Sequence, residues 1–137
     1  MVVTASRLML LFADCNIEYF DSELPLPEFK VNNSYKTLGM YSTYPTDDGH
    51  YGDVIEISGN YDFTESQVKD IMVHEMIHMY LMHFGIDKSC THGKEFKKMM
   101  MDFNIRYGLN VDIRTDVTKF KVRKGKSDFM KRLCSLF

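Results

Sequence analysis

The most informative stretch of this sequence is Val73-His74-Glu75-Met76-Ile77-His78. It contains the pattern H-E-x-x-H inside a segment whose apolar residues recur at helical spacing. Four residues make just over one helical turn, so His74 and His78 lie on the same face of the helix. Two neutral imidazoles at that spacing can occupy two positions of a tetrahedral Zn²⁺. Glu75 lies about 100° further round the helix, where its carboxylate can reach an activated water without being a ligand.

The residues around the motif predict a helix over about 64–84. Thr64-Glu65-Ser66-Gln67 is a capping-box pattern, and Phe63 and Val68 have the spacing of a hydrophobic staple. Gly85 is a natural stop. Because apolar residues occupy more than one side of this helix, we expect it to be well buried.

A catalytic zinc site needs a third protein ligand, and the downstream candidates are His92 and Glu95. A second helix is predicted over about 92–107, ending at Gly108, so that His92 stands at its start. Glu95 could be a ligand, an acceptor for a histidine N–H, or a surface partner for a lysine. Cys90 is an alternative soft ligand. His83 lies about 180° round the helix from His74 and cannot share a metal with it.

These motifs resemble the SprT-like metallopeptidase family. The resemblance covers roughly residues 5–107 and rests most on His74-Glu75-x-x-His78 followed by His92-Gly93-x-Glu95-Phe96. Two upstream segments, 19–27 and 36–41, are similar to the family's entry segment and to its glycine-marked strand. The resemblance implies a zincin-type fold with one Zn²⁺ on His74, His78 and His92, and with Glu75 as the catalytic general base and acid.

The strand pattern agrees with an α+β fold. Segments 29–31, 38–44 and 54–58 read as strands between an N-terminal helix and the motif helix. We therefore expect a zincin-like domain with a small antiparallel or mixed sheet, the motif helix, and a second helix carrying the third ligand. Strand 54–58 is our candidate for an edge that pairs with substrate main chain, with an interior strand as the alternative.

The chain's 137 residues are enough for one domain, which we place at residues 1–113, with a basic extension at 114–137. Cys15, Cys90 and Cys134 form no disulfide framework, and one C-terminal cysteine cannot build the zinc ribbon that many SprT-like proteins carry. No segment is long and apolar enough to span a membrane. These features predict a cytoplasmic protein, by default a monomer, with no membrane partner.

Charge divides the chain unequally. Residues 1–113 hold 9 basic and 17 acidic residues, whereas residues 114–137 hold 8 basic and 2 acidic residues. The basic segment is a candidate polyanion contact, and the family resemblance keeps DNA association open. The alternative is a basic tail that lies on the acidic body, or a charged surface that is only solvated. The candidate contacts are Lys119, Lys121, Arg123, Lys124 and Lys126.

The sequence therefore predicts a zinc-dependent endopeptidase that acts on a protein or peptide substrate, with DNA-associated proteins as one substrate group. One alternative is a different H-E-x-x-H metallohydrolase, of the deformylase-like or repressor-cleaving type. The other is a non-catalytic zinc module that binds nucleic acid or a protein through its basic segment. A structural site of that kind would be closed by a fourth ligand, for which Cys90 and Glu95 are the candidates.

Overall fold

The computed structural model describes residues 1–114, 116–126 and 128–135. The described part of the chain has an α+β fold, as predicted. In chain order its elements are α1 (Ala5–Tyr19), β1 (Glu28–Asn32), β2 (Gly39–Pro45), β3 (Tyr51–Ser58), α2 (Glu65–His83), α3 (Lys94–Tyr107), a 3-10 turn (Val117–Lys119) and α4 (Asp128–Ser135).

The three strands form one mixed sheet in the order β1-β3-β2. β2 and β3 are antiparallel, with Tyr41 opposite Ile55, and β1 runs parallel to β3, with Phe29 opposite Ile55. β3 is therefore the central strand, so 54–58 was the wrong candidate for the edge, and the alternative of an interior strand is correct. The reason is that β1 pairs with the side of β3 that the β2–β3 hairpin leaves free. The edge strands are β1 and β2.

The motif helix α2 begins where its capping sequence predicts. The Thr64 hydroxyl accepts a hydrogen bond from the Gln67 amide, and the Gln67 side chain accepts one from the Thr64 amide, which completes the capping box. Gly85, at φ +64°, follows the helix in the left-handed region. Val68, Met72 and Met76 are fully buried. The helix therefore runs through the core, as its apolar composition predicted.

Helices α1 and α3 both pack against α2. α1 buries Leu8, Phe12, Cys15 and Tyr19, and the Tyr19 ring lies 4.8 Å from that of Tyr107 at the end of α3. α3 ends at Gly108, as predicted, but it begins at Lys94 rather than at 92. His92 therefore precedes α3 instead of belonging to its first turn.

Part of the C-terminal segment lies against the body of the protein. The Asp62 amide donates to the Lys121 carbonyl at 2.7 Å, and the Arg123 amide donates to the Asn60 carbonyl at 2.8 Å. The ring of Phe120 packs edge-on against Phe63, with 5.6 Å between their centroids. The division of the chain at 113/114 stays a prediction. Within the described ranges, no helix has both the length and the apolar character needed to cross a bilayer.

Candidate metal centre

Three histidine side chains converge beside the middle of α2. The Nε2 atom of His92 lies 3.0 Å from Nε2 of His74 and 3.2 Å from Nε2 of His78. Helical spacing brings His74 and His78 together, whereas His92 arrives from the loop before α3. Each of the three offers a ring nitrogen within 4.8 Å of those of the others.

The donor set fits a zinc ion. Zn²⁺ binds imidazole nitrogen at about 2.0–2.1 Å, so two nitrogens of a tetrahedral site are separated by about 3.3 Å. The separations from His92 to its two partners are close to that value. Three nitrogen ligands leave one tetrahedral position open, which is the arrangement of catalytic rather than structural zinc sites.

Phe96 forms an apolar floor beneath the three imidazoles. Its ring centroid lies 4.8 Å from that of His74, 4.5 Å from that of His78 and 4.9 Å from that of His92. Phe96 is fully buried in the first turns of α3. The spacing of four residues from His92 to Phe96 therefore lets α3 contribute this floor while the loop before it contributes the third imidazole.

A backbone carbonyl holds the ring of His74. The Nδ1–H of His74 donates to the carbonyl oxygen of Asp112 at 2.6 Å. This hydrogen bond leaves the lone pair on Nε2, the atom that faces the other two histidines. Nothing in the sequence indicated this contact, because a carbonyl acceptor can belong to any residue type.

Burial keeps the three imidazoles neutral. It lowers the pKa of His74 to about 4, and it lowers the pKa of His78, which also lies beside His74 and His92, to about 4. The pKa of His92 is lowered by burial as well. A metal ion binds the neutral form of histidine. Near neutral pH these three imidazoles can therefore bind a metal ion without first losing a proton.

Glu75 is buried beside the histidines. Its side chain is 5 % exposed, and burial raises the pKa of its carboxyl from 4.5 to about 8. A side chain at Gly39 would place its Cβ 2.8 Å from Cγ2 of Ile71 and 3.1 Å from Oε2 of Glu75. The glycine therefore lets strand β2 approach the carboxylate closely. The positive charge of a bound metal would favour the ionised carboxylate and oppose the effect of burial.

A cleft of about 420 Å³ opens beside this cluster. His74, Glu75 and His92 line one side of it, and residues 36–39 at the start of β2 line another. Phe120, from the C-terminal segment, also lines the cleft. The cleft gives a ligand access to the carboxylate and to two of the three imidazoles.

Other predicted site residues lie outside the histidine cluster. Neither Glu95 nor Cys90 is among the groups that share it. Glu95 is half-buried on α3, and a role for it behind the ligands stays a prediction. His83 lies away from the cluster, as helical geometry required. Its Nε2 lies 2.9 Å from a carboxylate oxygen of Asp53, whose other oxygen accepts from the Tyr41 hydroxyl at 2.6 Å.

The predicted polyanion contacts lie on the C-terminal segment that packs against residues 60–62. They are the exposed side chains of Lys119, Lys121 and Lys124 and the half-buried side chains of Arg123 and Lys126. Within the described ranges, none of the five forms an ion pair with a carboxylate.

Comparison with known proteins agrees with the motifs. The model of the SprT-like family matches residues 8–115 of this chain. No curated protein matches it. The matched region includes the motif helix, the loop that carries His92, Phe96 and the Asp112 carbonyl. Since the family model covers most of the sequence, the chain belongs to the SprT-like family.

Proposed function

We propose that this protein is a zinc-dependent endopeptidase. The main support for this proposal is that three neutral imidazoles converge beside the Glu75 carboxylate, which is largely buried but lines the cleft. Two of the imidazoles and the carboxylate open onto one cleft. A structural zinc site gains nothing from such a carboxylate, whereas hydrolysis of a peptide bond requires a base beside the metal.

His74, His78 and His92 would hold the ion, and Glu75 would move the protons. A bound Zn²⁺ supplies a Lewis acid that polarises a water molecule and the scissile carbonyl. Glu75 accepts the proton of the attacking water and delivers it to the amine that leaves. The Asp112 carbonyl keeps His74 in the tautomer that presents Nε2 to the ion.

Strand β2 is the element best placed to bind the main chain of a substrate. In the described part of the protein it pairs with β3 alone, so its outer edge carries unpaired backbone N–H and C=O groups. Its first residue, Gly39, lines the cleft and approaches Glu75. Pairing of an extended peptide with this edge would bind substrates with little dependence on their side chains.

Zinc content and proteolysis, measured together, test this function. Glu75→Gln should retain zinc and lose cleavage of an unfolded protein substrate, because it keeps the ligands and removes the base. His78→Ala should lose both, since it removes a ligand. Equal zinc in wild type and Glu75→Gln, with no cleavage by either, would refute the endopeptidase proposal and favour a non-catalytic zinc module. The absence of Cys90 and Glu95 from the histidine cluster argues against the closed site that such a module needs.

We also propose that the basic C-terminal segment brings DNA to the cleft. None of the five candidate contacts forms an ion pair with a carboxylate in the described part of the chain, which favours contact with a polyanion over a tail neutralised by the acidic body. Phe120 in the same segment lines the cleft. DNA bound here would lie next to the cleavage site, so proteins on DNA would be presented to it.

Salt-dependent binding to a single-stranded oligonucleotide tests the DNA proposal. The double variant Lys121→Glu/Lys124→Glu should weaken binding and reduce the slope of log K against log salt by about 1.4, since each lost contact to a single strand contributes about 0.7. The matched control, Lys94→Glu/Lys98→Glu, makes the same charge change on the exposed surface of α3. Equal losses in the two double variants would show a general charge effect and refute a site on the C-terminal segment.

A further inference from the structure

The carbonyl that holds His74 belongs to an irregular segment. Asp112 lies in residues 108–112, which follow α3 and are part of no helix or strand. A ligand-orienting acceptor is effective only if it is itself held in place, because small displacements of the imidazole weaken the metal bond. The segment therefore needs contacts that replace the hydrogen bonds of regular structure.

The side chain of Asn104 supplies two such contacts. Its Nδ2 donates to the carbonyl of Val111 at 3.0 Å, and its Oδ1 accepts from the amide of Val111 at 2.9 Å. Asn104 projects from α3, and Val111 is 2 % exposed. Both backbone polar groups of the residue before Asp112 are thus held by one amide side chain.

A second attachment lies one residue earlier. The Asn110 amide donates to a carboxylate oxygen of Asp70 at 3.1 Å. Asp70 lies on α2, one turn before His74. Leu109 is 8 % exposed, so apolar burial at 109 and 111 alternates with polar attachment at 110. Of the two attachments, only the pair of hydrogen bonds from Asn104 holds the residue next to Asp112, whose carbonyl accepts from His74.

We propose that Asn104 is a positioning residue of the metal centre. By holding Val111 it places the Asp112 carbonyl, which orients His74 and selects the tautomer that presents Nε2. Asn104 contacts neither the ion nor the substrate, and its effect passes through the backbone. The inference rests on the proposed function in one respect, namely that the three histidines bind a metal.

The chain contains a matched control for this pair of hydrogen bonds. Asn16 on α1 makes the same pair of hydrogen bonds to Leu24, with its Nδ2 donating to the carbonyl at 2.8 Å and its Oδ1 accepting from the amide at 3.2 Å. α1 contributes no residue to the histidine cluster or to the lining of the cleft. Asn16→Ala and Asn104→Ala therefore remove equivalent hydrogen bonds, and only Asn104→Ala removes them next to the metal centre.

Zinc affinity of the folded variants tests the proposal. Each full-length protein is titrated with Zn²⁺ against a chromophoric chelator at a temperature where circular dichroism shows it folded. Asn104→Ala should bind zinc about 10-fold more weakly than wild type, the lower end of the range for residues behind the ligands. Asn16→Ala should match wild type. The visible absorption of bound Co²⁺ should change in Asn104→Ala alone, because the ligand field reports the orientation of His74.

The measured affinities distinguish a failure of the positioning role of Asn104 from a failure of the proposed zinc site. If wild type binds zinc and the two alanine variants bind it equally well, or equally weakly, Asn104 has no positioning role. If wild type itself binds no zinc, the proposed function fails and the positioning role fails with it. Should Asn104→Ala not fold, the pair Asn104→Gln and Asn16→Gln carries the same comparison. These variants retain the amide and displace it by one methylene, and the expected order of affinities is unchanged.

Discussion

Replacing Glu75 with Gln should stabilise the metal-free protein, because the buried carboxylate costs free energy that a neutral amide does not. The side chain is 5 % exposed, and burial raises its pKa from 4.5 to about 8. At pH 7 the unfolded chain ionises this group freely, whereas folding must bury the charge or take up a proton. A difference of one pH unit corresponds to about 1.4 kcal/mol, so the penalty at pH 7 is on the order of 3 kcal/mol.

The sign of the pH dependence follows from the raised pKa. The contribution of Glu75 to stability is fully present below pH 4.5 and is lost as the pH rises toward about 8. The gain from Glu75→Gln should therefore grow from about 1 kcal/mol at pH 5 to about 3 kcal/mol at pH 7. His74 and His78 act in the opposite direction, since their lowered pKa values cost stability as the pH falls from 6.5 toward 4. That effect is common to wild type and variant and cancels in the difference.

Urea unfolding in the presence of EDTA, followed by circular dichroism between pH 5 and pH 8, measures this gain. Glu95→Gln is the control, because it removes a half-buried carboxylate from α3 and should change the free energy of unfolding by less than about 0.5 kcal/mol. Added zinc should shrink the gain from Glu75→Gln, because a neighbouring cation stabilises the carboxylate. A variant that is no more stable than wild type at pH 7, or whose gain in stability does not grow with pH, would contradict the predicted cost of burying this carboxylate.

Three further substitutions and one labelling experiment test single features of the structure. Gly39→Ala should lower cleavage while zinc content stays unchanged, because the new methyl group would crowd both Ile71 and the Glu75 carboxylate. Metal analysis and a protease assay measure the two quantities, and loss of zinc would contradict the prediction. Phe96→Ala should lower the free energy of unfolding in urea by about 3–5 kcal/mol and should weaken zinc binding. An unaltered zinc affinity would show that the Phe96 ring does not orient the histidines. Thr64→Ala should cost about 1 kcal/mol by loss of the cap, and an unchanged urea midpoint would contradict this. Burial raises the pKa of the Cys15 thiol to about 12. In a variant that lacks the other two cysteines, Cys15 should therefore resist a thiol reagent at pH 8 until urea is added. Rapid labelling of the native protein would contradict its burial.

Features that depend on neighbours within one or two helical turns could be read from the sequence. The capping box at Thr64, the pairing of His74 with His78 and the end of α3 at Gly108 all follow from local geometry. The family motif added His92, which no spacing rule alone would have selected over Glu95. The location of Glu75 beside the ligands followed from the same helical period.

The edge of the sheet could not be read in this way. Strand 54–58 was identified correctly as a strand, but its alternation of apolar and polar residues does not say how many neighbours it has. β1 and β2 both pair with β3, and the choice depends on which arrangement packs best against α1 and α2. Because strand order is set by contacts between residues far apart in sequence, it becomes visible only in the assembled fold.

The motif sequence predicted helix α2, the three histidines that converge beside it and the carboxylate of Glu75, and it pointed to the family to which the chain belongs. The strand order, the hydrogen bond from His74 to the Asp112 carbonyl and the pair of hydrogen bonds from Asn104 to Val111 became visible only in the tertiary structure. Ligands and bases need particular side chains at particular spacings, which leave a pattern in the sequence. A backbone carbonyl is chemically the same at every position, so the residue that supplies it is selected by packing alone.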